Sequence, residues 1–459
     1  MRFSRFEDML GHWAAAAPEA VALRFVGGTC TYAELLERVR AKAEALRAGG
    51  GSCLGILCDG SPECVVTIFA AAQAGMQAVL LNANTPEPLL REQLKATDVD
   101  RLCGCAARRG ALLDGLGGGI PAGTGAGRVL FFTSGTSARA KAVVLTEGNL
   151  CASAWNGSAM VPLDRDDTLL CMLPLDHVFG FICGILWGLS CGATVALGRG
   201  RSYYTEDCPY YRPSALAVAP ALLRHLLKNR CLGDSLRVLI VGAGDCPWAL
   251  LKAVEAMGVR VCHGYGLTET SSGVCLSRGE DFFAMDLCPD ARVSIAPDGE
   301  ILISSPELMF EGYYRRPEDT ARVLRDGVFH TGDLGCIDAD GRLHVTGRKK
   351  EIMALSDGTK LSLPEYEKDL ARILETAEIA VVPREDVPVL VLPRGTMDRD
   401  EALSRLASTQ ALLPPEQQLG DVVYYNGPLP RTAAGKLMRW QIAGAAAGRH
   451  GHGGGGAEG

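Results

Sequence analysis

Short apolar runs alternate with helical patterns along most of this chain. Cys53–Cys58 reads as an apolar strand, Pro62–Gly75 as a helix and Ala78–Leu81 as the next strand. The rhythm returns in apolar runs at Leu169–Met172, Val195–Leu197, Leu216–Val218, Val238–Val241 and Val259–Cys262, with helical stretches between most of them. Strand–helix alternation predicts an α/β fold with largely parallel sheets covered by helices. From Ala291 the pattern changes. Strands at Val293–Ile295 and Glu300–Ser304 flank the turn Pro297-Asp298-Gly299, and Leu343–Val345 follows a second turn at Asp338–Gly341. They predict a small antiparallel β region ahead of residue 347. The polar stretch Gly347-Arg-Lys-Lys-Glu351 marks a boundary. Beyond it, a helix at Pro364–Glu375, a strand at Ala377–Val382 and an apolar run at Val387–Leu392 predict a smaller α+β domain. The expected division is a large N-terminal domain over 1–348, a small C-terminal domain over 349–443 and a tail over 444–459. That tail, almost wholly Gly, Ala and His, cannot bury a core and is expected to be disordered.

One segment imitates a membrane span. Val178 to Gly198 carries no charge and is long enough to cross a bilayer. Glycines interrupt it, and beyond Gly192 the run Ala-Thr-Val-Ala-Leu reads as a strand, so a buried helix, a turn and a strand are expected instead. The N-terminal stretch carries Glu7 and Asp8 and has no continuous apolar core, unlike a secretory signal. A net charge of −7 argues against nucleic acid as a partner. The 17 cysteines are scattered, with no paired CxxC knuckles and an odd total, which argues against a structural zinc framework and a disulfide scaffold. Buried, reduced thiols and a cytoplasmic setting fit them best.

The most informative segment is Phe131-Phe-Thr-Ser-Gly-Thr-Ser-Ala-Arg-Ala-Lys141. An apolar strand runs into hydroxyl residues around a glycine, and a lysine follows. Thr133, Ser134, Gly135, Thr136 and Ser137 can offer hydroxyl and N–H groups to phosphate oxygens, with Lys141 as a counter-charge. Taken alone, such a stretch is also what a solvated loop looks like. Further along come Leu173-Pro-Leu-Asp-His-Val-Phe-Gly180, Val241-Gly-Ala-Gly-Asp245, Val261-Cys-His-Gly-Tyr-Gly-Leu-Thr-Glu-Thr270, His330-Thr-Gly-Asp-Leu-Gly335, Gly347-Arg348 and Leu429-Pro-Arg-Thr-Ala-Ala-Gly-Lys436. From Thr31-Tyr32-Ala-Glu-Leu35 to Arg439 these motifs and their order resemble the adenylate-forming superfamily of acyl-CoA synthetases, aryl-CoA ligases, luciferases and peptide-synthetase adenylation domains. One departure is in the phosphate loop, where Ala138, Ala140 and Ala142 stand at positions that family fills with Gly, Pro and Gly. Alanine disfavours positive φ, so a stiffer loop is expected.

The resemblance implies a role for each motif. His177 lies beside the acyl carboxylate; Asp176 falls at a variable position, which favours an acid without an α-amine. Gly242, Ala243 and Gly244 form the turn against adenine, and Tyr265 beside Gly266 stacks on the purine. Thr268 meets the α-phosphate, Glu269 holds Mg²⁺, Asp333 accepts the ribose hydroxyls and Arg348 contacts ribose and phosphate. Lys350 is the interdomain hinge, which would make the small domain mobile, and Lys436 reaches into the site during adenylation. The cofactors implied are ATP, Mg²⁺ and coenzyme A, or the phosphopantetheine of a carrier protein. The Leu-Ser-Asp-Gly-x-Lys pattern after Ala354 looks closest to fatty acyl-CoA synthetases. Three readings stay open: a ligase joining a fatty or other non-amino acid to CoA, a ligase loading an acyl carrier protein, and a non-catalytic nucleotide-binding protein.

Overall fold

The computed structural model describes residues 1–104, 112, 116, 125–133, 141–244, 246–355, 360–384, 387–431, 437–439 and 441–443. The phosphate-loop residues Ser134, Gly135, Thr136 and Ser137, the three-residue stretch 138–140, Lys436 and the expected tail lie outside them.

Two sheets form the bulk of the molecule. The larger has nine strands, and six consecutive ones are parallel: Arg260–Leu267, Val238–Val241, Ala215–Val218, Thr168–Cys171, Thr194–Leu197 and Val21–Phe25. Antiparallel strands finish both edges, which the parallel expectation left out. The second sheet has six strands. Arg101–Cys103, Cys53–Cys58, Gln77–Asn82 and Arg128–Phe132 run parallel, followed by antiparallel Ala142–Thr146 and the two-residue strand Gly312–Tyr313. Strands such as Cys53–Cys58 and Val238–Val241 are buried along their whole length, as expected of parallel strands covered on both faces.

Val178–Gly198 is a helix, a turn and a strand. Helical turns Val178–Phe181 and Trp187–Ser190 flank a π-helical stretch, Ile182–Leu186, before the strand Thr194–Leu197. Among the described residues no helix is long and apolar enough to cross a membrane.

The expected antiparallel region is a five-stranded sheet that includes Glu300–Ile303, Val328–Ile337 and Leu343–Arg348. After a single turn at Lys349–Glu351 the chain enters the smaller C-terminal part. Its helix Leu363–Leu374 buries Leu363, Tyr366, Leu370 and Leu374, a stripe of one helical face, against the strands Ala380–Arg384, Val387–Pro393 and Asp421–Tyr425. This cluster is separate from the cores of the large sheets, so the small part has its own hydrophobic centre.

Candidate functional site

Parallel strands end in loops at their carboxyl edge, where open α/β sheets present binding groups. A cavity of about 1110 Å³ lies at that edge. His177 follows the strand Thr168–Cys171, Ala219 follows Ala215–Val218, and Gly242 and Ala243 follow Val238–Val241. Ala243 takes a left-handed φ of 64°, although glycines stand on either side of it. Gly242 sits where a Cβ would lie 3.0 Å from the Phe179 ring. Gly244, the third residue expected at this turn, is not part of the cavity wall.

One end of the cavity is polar. Tyr265 Oη donates to Asp333 Oδ2 at 2.8 Å, and Arg348 Nε lies 2.8 Å from Asp333 Oδ1. The sheet register sets the second contact, because Asp333 and Arg348 are direct cross-strand partners. Asp333 is 2% exposed and stands behind Tyr265 and Arg348, which line the cavity. Burial, followed by the Asp333 carboxylate, pushes the Tyr265 phenol far above its usual range. Gly266 is required where it is: a Cβ there would sit 1.6 Å from the Ser272 carbonyl oxygen across the hairpin.

Beside this group lie Thr133, Lys141, Thr268 and Glu269. Thr133 N–H donates to the Lys141 carbonyl at 2.9 Å, which holds the two residues side by side. Lys141 Nζ is 3.4 Å from Asp319 Oδ1 and 4.5 Å from the centre of the Tyr313 ring. Tyr313 Oη donates to Glu269 Oε1 at 2.7 Å. Burial raises the Glu269 carboxyl above its ordinary value, opposed by the Tyr313 hydrogen bond and by the charges of Arg348 and Lys141.

His177 borders the next stretch of wall, with Nε2 4.0 Å from Asp176 Oδ2. Asp176 itself is turned away from the cavity and accepts a 3.0 Å hydrogen bond from Asn82 Nδ2. Burial raises its carboxyl, and His177 and Asn82 oppose that. An acidic group aimed at a substrate ammonium is therefore not supplied by Asp176. Lys350 also lines the cavity, and burial, then Arg348, lowers its ammonium below the usual value. Its neighbour Lys349 is tied to Asp298 at 2.6 Å and to Glu300 at 2.7 Å.

The family model of the AMP-binding enzymes matches residues 10–113 and 127–314. The chain belongs to that family. It is 30% identical to a feruloyl-CoA synthase of Amycolatopsis sp., across 94% of this chain and 98% of the relative. It is 31% identical to an indoleacetate–CoA ligase of Aromatoleum aromaticum, across 94% and 96%. Among solved structures it superposes on O-succinylbenzoate coenzyme A synthetase from Bacillus subtilis in complex with ATP and magnesium ion, with a TM-score of 0.82 at 25% identity, covering 95% of this chain and 99% of that one.

In this AMP-binding enzyme the motifs at His177, Gly242, Tyr265, Thr268, Glu269 and Arg348 meet on one cavity, although the chain separates them widely. Four participants were not anticipated from sequence: Asn82, Tyr313, Asp319 and Arg431. Arg431 lies in the same motif as Lys436 and lines the cavity from the small domain. Gly312-Tyr-Tyr-Arg-Arg-Pro-Glu-Asp319 carried a usable signal, an aromatic pair and acids after a glycine. Nothing local in it announces pairing with the strand that leaves Lys141.

Proposed function

We propose that this AMP-binding enzyme joins an uncharged-tail carboxylic acid, aromatic in the first instance, to coenzyme A through an acyl-adenylate. The observation that carries this reading is one cavity holding a Tyr–Asp–Arg cluster, a buried carboxylate beside a lysine, and His177. The names of two relatives, a feruloyl-CoA synthase and an indoleacetate–CoA ligase, both of aromatic acids with an uncharged tail, support the substrate class. Long-chain acids are the second reading, supported by the Leu-Ser-Asp-Gly-x-Lys pattern.

A carboxylate is a poor electrophile, so it must first gain a better leaving group. One of its oxygens attacks the α-phosphorus of ATP, the bond to the bridging oxygen breaks, and pyrophosphate leaves with that electron pair. The thiol of CoA then attacks the acyl carbon and AMP departs. The protein's part is positioning and charge neutralisation. In this reading Tyr265 and Gly266 hold adenine against Gly242 and Ala243. Asp333 exchanges its bonds with Tyr265 and Arg348 for the ribose hydroxyls, and Thr268 contacts the α-phosphate. Lys141 leaves Asp319 for the phosphates, joined by Thr133, Ser134, Gly135, Thr136 and Ser137, and His177 borders the acid's carboxylate. Lys436 is the cation that the small domain, 349–443, brings in for adenylation and removes for thiol transfer by turning about Lys350 on the large domain, 1–348.

Mg²⁺ fits this donor set. Among the described residues no group of three or more His, Cys, Asp or Glu could hold a metal, so those residues form no all-protein cage. A single carboxylate completed by phosphate oxygens and water is how magnesium is usually held with a nucleotide, and Glu269 supplies it. When bound, the ion offsets negative charge on the phosphates.

Isotope exchange between pyrophosphate and ATP, screened over carboxylic acids and followed by CoA and carrier-protein acceptors, tests the reading. Acid-dependent exchange and a CoA thioester are expected. Exchange with no acid would favour a non-catalytic nucleotide-binding protein, and transfer only to a carrier protein would replace CoA.

A further inference from the structure

The cavity has a second end, between the helix Glu147–Met160 and the π-helical stretch Ile182–Leu186. Ser153, Gly157 and Met160 line it at spacings of four and three, one face of the helix. Cys183, Trp187, Cys275 and Cys288 line the cavity as well, and none of these seven residues is charged. Burial pushes the Cys183 and Cys288 thiols up to about 12, so they are neutral. A charged group entering here would lose its water and find no partner. The Trp187 ring is held in place, because its Nε1 donates to the Val161 carbonyl at 2.9 Å.

Gly157 is the telling position. It lies inside a 14-residue helix, where glycine is less favourable than alanine. It is not among the glycines with positive φ, and a Cβ built on it would meet nothing closer than Trp187 Cδ1 at 3.7 Å, an ordinary contact. Neither backbone geometry nor close packing requires glycine here. Its missing side chain leaves the chamber open beside Trp187. One turn earlier Ser153 is 3% exposed and makes no hydrogen bond among the described residues. Ser158 on the same helix, by contrast, bonds the Ala154 carbonyl at 2.9 Å.

We infer that this chamber receives the far end of the acid, that Gly157 sets the length and breadth of the uncharged tail accepted, and that Ser153 bonds one hydroxyl or ether oxygen on it. The inference rests on the ligase reading and defines its substrate class as acids with an elongated, uncharged tail. Aryl and alkyl tails share that chemistry, and the experiment separates them.

The full chain and its Gly157→Ala, Gly157→Val and Ser153→Ala variants are compared in pyrophosphate exchange. The acids are acetate, octanoate, cinnamate, 4-hydroxy-3-methoxycinnamate and a dicarboxylate. Calorimetric titration of the same acids in the presence of AMP reads binding without turnover. The wild type is expected to favour the long uncharged acids over acetate and the dicarboxylate. Gly157→Val should lower the long-to-short kcat/KM ratio by roughly tenfold or more, the scale of one lost methylene-sized space. Ser153→Ala should lower the ratio of the hydroxylated to the plain cinnamate, and Gly157→Ala should raise the melting temperature, a control for folding. Preference for octanoate over both cinnamates would assign an alkyl tail within the same class. An unchanged long-to-short ratio in Gly157→Val, in exchange and in titration, would overturn the inference. So would a wild-type preference for the dicarboxylate. If exchange fails with every acid while titration still discriminates through Gly157, the ligase reading falls and the chamber assignment stands.

Discussion

At the polar end of the cavity, side chains hold one another: Tyr265 and Arg348 grip Asp333, Tyr313 grips Glu269, and Lys141 rests on Asp319. At the neutral end, Ser153, Gly157 and the thiols of Cys183 and Cys275 border space and make few polar bonds. The first end is preorganised by charge, the second by volume. Charge acts over several ångströms and in a few recurrent residue types, so it leaves motifs in a sequence. Volume depends on which small residues happen to face one another, and leaves almost none. Substitutions at the two ends should therefore fail differently, one in rate for every acid and the other in the choice of acid.

The largest expected effect belongs to the cations. Lys141→Ala and Lys436→Ala should each slow adenylation by roughly 10²-fold or more, the scale for removing a preorganised electrostatic contact. Lys436→Ala given presynthesised acyl-adenylate should lose far less in thioester formation, measured by stopped-flow or single-turnover assay. Equal losses in both half-reactions would remove the proposed two-state use of the small domain. An altered ranking of acids in Lys141→Ala would blur the division between the two ends.

Tyr313→Phe comes next. It leaves Glu269 without its buried donor, a loss of about 1–3 kcal/mol. Mg²⁺-dependent ATP binding, followed by calorimetry as magnesium is varied, should weaken by roughly five- to a hundredfold on that scale. Thermal stability should fall by less than the binding effect implies. A variant that melts much earlier yet binds Mg-ATP normally would reduce Tyr313 to a packing residue.

The smallest effect should come from outside the cavity. Burial raises the Glu367 carboxyl to about 7, partly offset by Arg439, whose Nη2 lies 2.6 Å from Glu367 Oε2. A folded-state value above the unfolded one means that the folded chain holds the proton more tightly. The associated stabilisation is complete below the unfolded value near 4.5 and is lost as pH rises towards 7. Glu367→Gln should flatten this part of the pH–stability curve for the small domain, without changing the acids accepted. An unaltered curve would show that Glu367 titrates normally.

Much of this molecule was legible in its sequence. Runs such as Cys53–Cys58 and Val238–Val241 could be read as strands because burial on both faces leaves an unbroken apolar signature. His177, Tyr265, Thr268, Glu269 and Arg348 could be read because each stands in a recognisable motif, and all of them reach the cavity. Tyr313 could not: its partner Glu269 is 44 positions away, and a strand of only two residues joins it to the sheet. Ala243 concealed its left-handed backbone, because the glycines beside it are the residues one expects there. Gly157 and Ser153 concealed the chamber, since small residues along a helix read as tight packing. The site was legible where its chemistry is ionic and hidden where it is empty space.

The two-residue strand Gly312–Tyr313 has a consequence for biosynthesis. It covers the outer edge of Ala142–Thr146, a strand made far earlier. Roughly 165 residues must be translated between the two, which at about 5–20 residues per second takes roughly 10–30 s. Throughout that interval the ribosome-bound chain carries an apolar β edge with no neighbour, open to pairing with another nascent chain. Early termination anywhere before residue 312 would leave that edge exposed for good, so truncated products should be insoluble even when both large sheets are otherwise nearly complete.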